Sequence, residues 1–203
     1  LIYGMTYERL GDKKRAILFY QKSIDLHEYK IKNHINVVYA YRPLMVIFRG
    51  LGKYQQTLEL GEKALAVLKK HDAEHHSVAP IIYIIMGNMY ERLGKYEEAH
   101  TLLKKAIEVA KISNPANSPT VLSALTEMGK HYTQINKLDK AEEIFQSVLN
   151  QLNETNDSSY QGRTHVWRLL GELYEKSRRF LLALKSYHTI LLASAKGYTQ
   201  EDI

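Results

Sequence analysis

The chain contains no cysteine. That excludes a disulfide framework, thiolate-bound zinc and a cysteine nucleophile, and it suits a reducing compartment, hence a cytoplasmic location. Long apolar runs are missing too. The longest, from Val78 to Gly87, contains Pro80 and Tyr83 and falls short of the roughly 18 residues that a membrane span needs, so no membrane partner is expected. Glycine-rich phosphate and dinucleotide loops are also absent. Gly50-Leu51-Gly52-Lys53 lacks the spacing and the hydroxyl residue of a phosphate loop, and its glycines read as turn residues. The first residue is Leu and a helical pattern follows at once, so the chain reads as part of a longer protein.

What is present describes a folded chain. Of 203 residues, 45% are hydrophobic and 25% charged, enough to bury a core. The 28 Lys and Arg against 22 Asp and Glu leave +6, which favours acidic partners. Nucleic acid is not an expected partner, because most of the 15 Tyr fall at core positions instead of interleaving with Lys and Arg on a surface.

A fixed spacing organises the chain. Gly87, Gly129 and Gly171 lie 42 residues apart, as do Tyr90, Tyr132 and Tyr174, and Ala99, Ala141 and Ala183. Gly4, Tyr7 and Ala16 continue the lattice backwards, and Tyr7-Glu8-Arg9-Leu10-Gly11 returns as Tyr90-Glu91-Arg92-Leu93-Gly94. The remaining unit is degenerate, with Met45, Phe48 and Thr57 at the corresponding places. Five repeats follow, at about 1–34, 35–77, 78–118, 119–159 and 160–203, expected to form one domain.

Within a repeat, Tyr83, Met86, Gly87 and Tyr90 recur at i, i+3, i+4 and i+7, one face of a helix. Leu93-Gly94-Lys95 breaks it, and Ala99, Leu102, Leu103, Ala106 and Val109 form the inner face of a second helix. Each repeat is therefore a helical hairpin, with small residues where the two helices cross closely. First helices are predicted near 1–10, 37–50, 79–93, 119–136 and 160–177. Ser118-Pro119 reads as an N-cap followed by Pro at the first helical position. Pro43, inside a predicted helix, should kink it. The segments 30–36, 71–77, 113–118 and 153–162 read as polar linkers.

The pattern Trp167, Leu170-Gly171, Tyr174, Ala183 and Tyr187 resembles that of the tetratricopeptide repeat family, and the resemblance covers essentially the whole chain. The 42-residue spacing, longer than that family's usual period of about 34, is similar to the kinesin light chain branch. The resemblance implies an all-α, right-handed α–α superhelix of about five hairpins, with a concave groove lined by the first helices. It also implies a non-catalytic adaptor that binds a protein or peptide. A peptide-sensing domain of a bacterial regulator is the alternative, since peptide-pheromone receptors use repeats of about this length.

On this reading the groove carries Tyr39, Arg42, Val46 and Arg49, then Ile81, Ile84, Asn88, Glu91 and Arg92, then Ser123, Thr126, Lys130 and Thr133, then His165, Arg168 and Glu172. Ile81, Ile82, Ile84 and Ile85 make the third first helix apolar nearly all round. They form either a seam between repeats or an apolar pocket. If a pocket, Arg42, Arg49, Arg92, Lys130 and Arg168 around it would select an acidic peptide with a bulky apolar anchor, and Asn88 could pair with its backbone. The carboxylate clamp of chaperone-binding relatives is absent, because Val46 and Ile85 stand where it needs polar residues.

No enzyme signature is found, and neither cofactor nor metal is expected. His71, Asp72, Glu74, His75 and His76 form the one cluster with metal-ligand composition, but they sit in a linker without a locked geometry. His165 with Glu172, and His131 with Lys130, lack an accompanying nucleophile or oxyanion donor. The acceptor triplets starting at Asn153 and Asn156 read as a polar loop.

Overall fold

The computed structural model describes residues 1–29, 35–154 and 160–198. Among them helices are the regular elements, and they come in pairs: α1 (Ile2–Arg9) with α2 (Lys13–Tyr29), α3 (Val38–Gly50) with α4 (Tyr54–Lys70), α5 (Ala79–Arg92) with α6 (Tyr96–Ser113), α7 (Pro119–Gln134) with α8 (Leu138–Glu154), and α9 (Tyr160–Lys176) with α10 (Phe180–Tyr198). A 3-10 turn, Ile35–Val37, leads into α3. The predicted first helices match α1, α3, α5, α7 and α9 to within two residues at each end. Ser118 caps α7 as expected, its Oγ accepting from the Val121 amide at 3.3 Å. Linker residues 30–34 and 155–159, with parts of both acceptor triplets, lie outside the described residues.

The same turn closes every hairpin. The amides of Asp12, Lys53, Lys95, Lys137 and Arg179 donate to the carbonyls of Tyr7, Phe48, Tyr90, Tyr132 and Tyr174 at 2.8 to 2.9 Å. These are the six-to-one bonds of a Schellman motif, which requires a left-handed residue just before the donor. Gly11, Gly52, Gly94, Asn136 and Arg178 fill that place, with φ of 76°, 71°, 74°, 61° and 58°. A cation then lies over the aromatic ring that begins each turn: Arg15 on Tyr7, Lys53 on Phe48, Lys95 on Tyr90, Lys140 on Tyr132 and Arg179 on Tyr174.

The small residues do what the lattice requires. A Cβ on Gly4 would stand 2.6 Å from the Tyr20 ring, one on Gly87 3.0 Å from Leu103, and one on Gly129 2.5 Å from the Phe145 ring; Tyr187 closes over Gly171 in the same way. Each partner lies 16 residues on, across the hairpin. The second hairpin inverts the pair. Its first helix carries the large residue, Met45, and the glycine sits on the second helix as Gly61, where a Cβ would be 2.5 Å from Met86 Sδ and 3.0 Å from Met45 Cε. The degenerate repeat has therefore kept the close approach and exchanged its two sides.

The chain divides into two compact units, Leu1–Pro115 and Ala116–Ile203. In unit 1, α2 packs on α3, α4 on α5 and α3 on α5, around Tyr20, Tyr41, Leu44, Met45, Ile82 and Met89. In unit 2, α8 and α7 pack on α9, around Phe145, Val148, Leu170 and Leu173. A lone hairpin cannot bury its apolar stripe, and this stacking buries it.

Candidate functional site

Unit 1 holds a cavity of about 640 Å³, within the size range of ligand sites. Three first helices supply its walls: Met5, Glu8 and Arg9 from α1, Tyr39, Arg42, Pro43 and Val46 from α3, and Ile81 from α5; Leu1, Tyr20, Ser77 and Val78 complete it. The apolar floor of Met5, Val46, Val78 and Ile81 suits a bulky side chain, and the polar groups gather on one side.

Tyr20 is fully buried and donates its hydroxyl to Glu8 Oε2 at 2.6 Å. Burial, together with that carboxylate, pushes the Tyr20 phenol well above its ordinary range, so it stays a donor at any physiological pH. Arg9 and Arg42 are exposed at the rim and make no ion pair among the described residues. Pro43 lies inside α3, which runs unbroken from Val38 to Gly50. Having no amide hydrogen, it leaves the carbonyl of Tyr39 without its regular helical donor, beside the cavity. The Tyr39 ring is set edge-on against His76 at 5.8 Å, and His76 Nδ1 accepts from the Val78 amide at 3.3 Å. The metal-like cluster thus contributes a ring that holds the cavity mouth. Among the described residues, no three His, Asp or Glu side chains converge as metal ligands.

Unit 2 holds a smaller cavity of about 250 Å³ between α7, the end of α8 and the start of α9. Leu122, Val148, Leu152 and Val166 form its apolar part, with Ser123, Thr126, Glu127 and His165 on its polar side. The cations here are already paired. Lys130 Nζ donates to both Glu127 oxygens, at 3.0 and 2.8 Å, and Arg168 binds Glu172 while donating to His165 Nδ1 at 3.2 Å. Burial, then the Arg168 and Lys130 charges, lowers the His165 pKa, so its ring is neutral at pH 7. Arg168 thereby stands between His165 and Glu172, the two groups that sequence reasoning paired, and His131 is fully buried.

The predicted groove residues are distributed unevenly. Tyr39, Arg42, Val46 and Ile81 come together around the unit 1 cavity. Ile85 is 3% exposed and belongs to the unit 1 core, because α5 packs against α3, α4 and α6 and needs an apolar surface nearly all round. Ile84 is buried too, and neither lines the cavity. Arg49 and Arg92 are exposed away from it, and the buried Oδ1 of Asn88 makes no hydrogen bond. Lys130 and Arg168 belong to unit 2. Leu1, Met5, Glu8 and Arg9 were missed. They lie 83 residues before Ile84, Asn88, Glu91 and Arg92, so carrying the groove stripe back to the truncated first repeat would have found all four.

Tetratricopeptide repeat family models match residues 40–112 and 1–28. No curated protein matches the chain in sequence. Among solved structures, BtubC (BKLC) from P. vanneervenii is 17% identical with a TM-score of 0.86, covering 98% of this chain and 80% of that one. A putative kinesin light chain of Podosopora anserina with nearly identical TPR-like repeats is 17% identical with a TM-score of 0.79, covering 97% and 93%. A Rap protein complexed with competence and sporulation factor is 17% identical with a TM-score of 0.75; the match covers 95% of this chain and 52% of that one. At this identity the likeness is one of fold, an α–α solenoid of helical hairpins. No helix among the described residues is long and apolar enough to cross a membrane.

Proposed function

Since the chain belongs to the tetratricopeptide repeat family and is a protein–protein interaction module, we propose that the unit 1 cavity binds a peptide segment that carries a bulky apolar side chain and an acidic flank. The observation that carries this reading is the pairing of an apolar floor with two unpaired arginines on one rim. The anchor would enter between Met5, Val46 and Ile81, while a carboxylate nearby meets Arg42 and Arg9. The Tyr39 carbonyl left free by Pro43 would accept an amide of the segment. Neither cavity has the nucleophile, base and oxyanion donor of an enzyme, and the role is that of a non-catalytic, cytoplasmic adaptor in which both units form one binding domain.

A second reading, a peptide-sensing domain of a bacterial regulator, rests on the fold shared with the Rap protein, of which this chain spans about half. The two differ in the parent protein: a sensor needs an effector module, whereas an adaptor does not.

The test is a peptide array probed with the purified chain, followed by titration of the best binder. Val46→Asp should reduce affinity at least tenfold, and Arg42→Glu several-fold at low ionic strength, whereas Arg49→Glu, outside the cavity, should leave it unchanged. Normal affinity in folded Val46→Asp and Arg42→Glu variants would place the partner elsewhere.

A further inference from the structure

We infer that the unit 2 cavity is a second, separate binding site, which takes one aliphatic side chain of an uncharged peptide segment and donates a hydrogen bond from His165 to the adjoining carbonyl. Its size sets the first limit. At about 250 Å³ it falls below the range of sites for whole small molecules, so it suits a single side chain with a short stretch of backbone. The wall sets the second. Leu122, Val148 and Val166 are 6%, 1% and 2% exposed and belong to the packed core, so the apolar surface is preformed and cannot collapse to fill the space.

The polar side decides the charge of the ligand by elimination. Thr126 gives its hydroxyl proton to the Leu122 carbonyl at 2.7 Å and turns its methyl outward. Glu127 is neutralised by Lys130, and Arg168 by Glu172, so no net charge is left to attract a carboxylate or an ammonium. Arg168 can only donate, so the His165 nitrogen it approaches, Nδ1, must accept. In the neutral ring the proton then sits on Nε2. The cavity therefore offers a donor whose tautomer is set by its neighbour, beside an aliphatic wall. A carbonyl next to a Leu, Ile, Val or Met side chain satisfies both, and a carboxylate gains nothing over an amide. This site does not depend on the unit 1 cavity.

Methyl and imidazole NMR of the whole chain at pH 7.5 tests it, with N-acetyl-leucine methylamide as the probe. Saturable shifts are expected at the Leu122, Val148, Leu152 and Val166 methyls, together with a ¹⁵N pattern at His165 that reports a proton on Nε2. N-acetyl-alanine methylamide should bind about tenfold more weakly, and N-acetyl-leucine no more tightly than the uncharged probe. Ser123→Trp, at the exposed rim, should block the mouth without disturbing the core and abolish the shifts. The inference is overturned if the leucine probe gives no saturable shift there, if Ser123→Trp leaves the shifts intact, or if His165 carries its proton on Nδ1. Shifts confined to Val46 and Ile81 would overturn it while supporting the unit 1 reading, and loss of peptide binding in unit 1 leaves the unit 2 shifts as they are.

Discussion

Units 1 and 2 are built from the same hairpin, closed by the same Schellman turn, yet they spend their charges differently. In unit 1, Arg9 and Arg42 face solvent at a wide cavity with no acidic neighbour, whereas in unit 2 Lys130 and Arg168 are each satisfied one helical turn away, by Glu127 and Glu172. Counting basic residues along the groove stripe treats all of them as equal. An exposed cation without a partner adds to ligand attraction, while one with a local partner mainly fixes geometry, here the tautomer of His165. The units differ in their frame too: unit 1 turns on glycine three times and inverts one crossing, while unit 2 turns on Asn136 and Arg178 and keeps both crossings in the ordinary sense.

The largest effect should come from the crossings. Gly129→Leu would drive a side chain into the Phe145 ring, which has no room to turn, and should cost about 1 to 3 kcal/mol. Gly61→Ala meets the ends of Met86 and Met45 instead, which can re-seat, and should change stability by less than about 1 kcal/mol. Urea unfolding of both variants checks the contrast, and equal losses would mean that the inverted hairpin is packed as rigidly as the others.

Salt separates the cavities next. Binding of an acidic peptide in unit 1 should weaken several-fold between low and physiological ionic strength, because unpaired rim arginines are screened, whereas the leucine probe in unit 2 should be nearly insensitive. A steep salt dependence of the unit 2 probe would show that the ion pairs there open to the ligand.

A pH scan sharpens the same point. His165 titrates below its ordinary value of 6.5 in the folded chain, so between those two values the unfolded chain binds more protons. Stability from this group is complete above about pH 6.5 and is lost as pH falls through that window. His165→Gln should flatten this part of the stability profile, and an unchanged profile would remove His165 from it.

Much of the fold was legible because hairpin packing repeats: the spacing of Gly, Tyr and Ala marks crossings that the backbone must satisfy wherever they recur. The second hairpin was harder to read because exchanging Met45 and Gly61 across the interface conserves the sum of the two volumes and not the residue at either place. The groove stripe found Tyr39, Arg42, Val46, Ile81, Ser123, Thr126 and His165, all of which line a cavity. It also took in Ile84, which is buried, because periodicity shows which way a side chain points and not how closely a neighbouring helix approaches. The pairing of Lys130 and Arg168 at i−3 and i+4 was present in the sequence as Glu127 and Glu172, and weighing those partners would have set these cations apart from Arg42.

The smallest expected effect concerns the turns. Arg178 holds a φ of 58°, and its side chain is exposed, so nothing in its surroundings repays the left-handed conformation. That conformation costs a residue with a Cβ about 1 to 2 kcal/mol, while glycine gives back about 0.5 to 1 kcal/mol through the entropy of the unfolded chain. Arg178→Gly should therefore stabilise unit 2 by roughly 0.5 to 1 kcal/mol, and Gly94→Arg should cost unit 1 a similar amount. Asn136→Gly should gain less than Arg178→Gly, since asparagine tolerates the left-handed region better. Chemical unfolding read separately in the two units, through Trp167 for unit 2, measures all three. A loss of stability in Arg178→Gly would mean that the arginine side chain holds the α9–α10 turn by a contact worth more than the strain it carries.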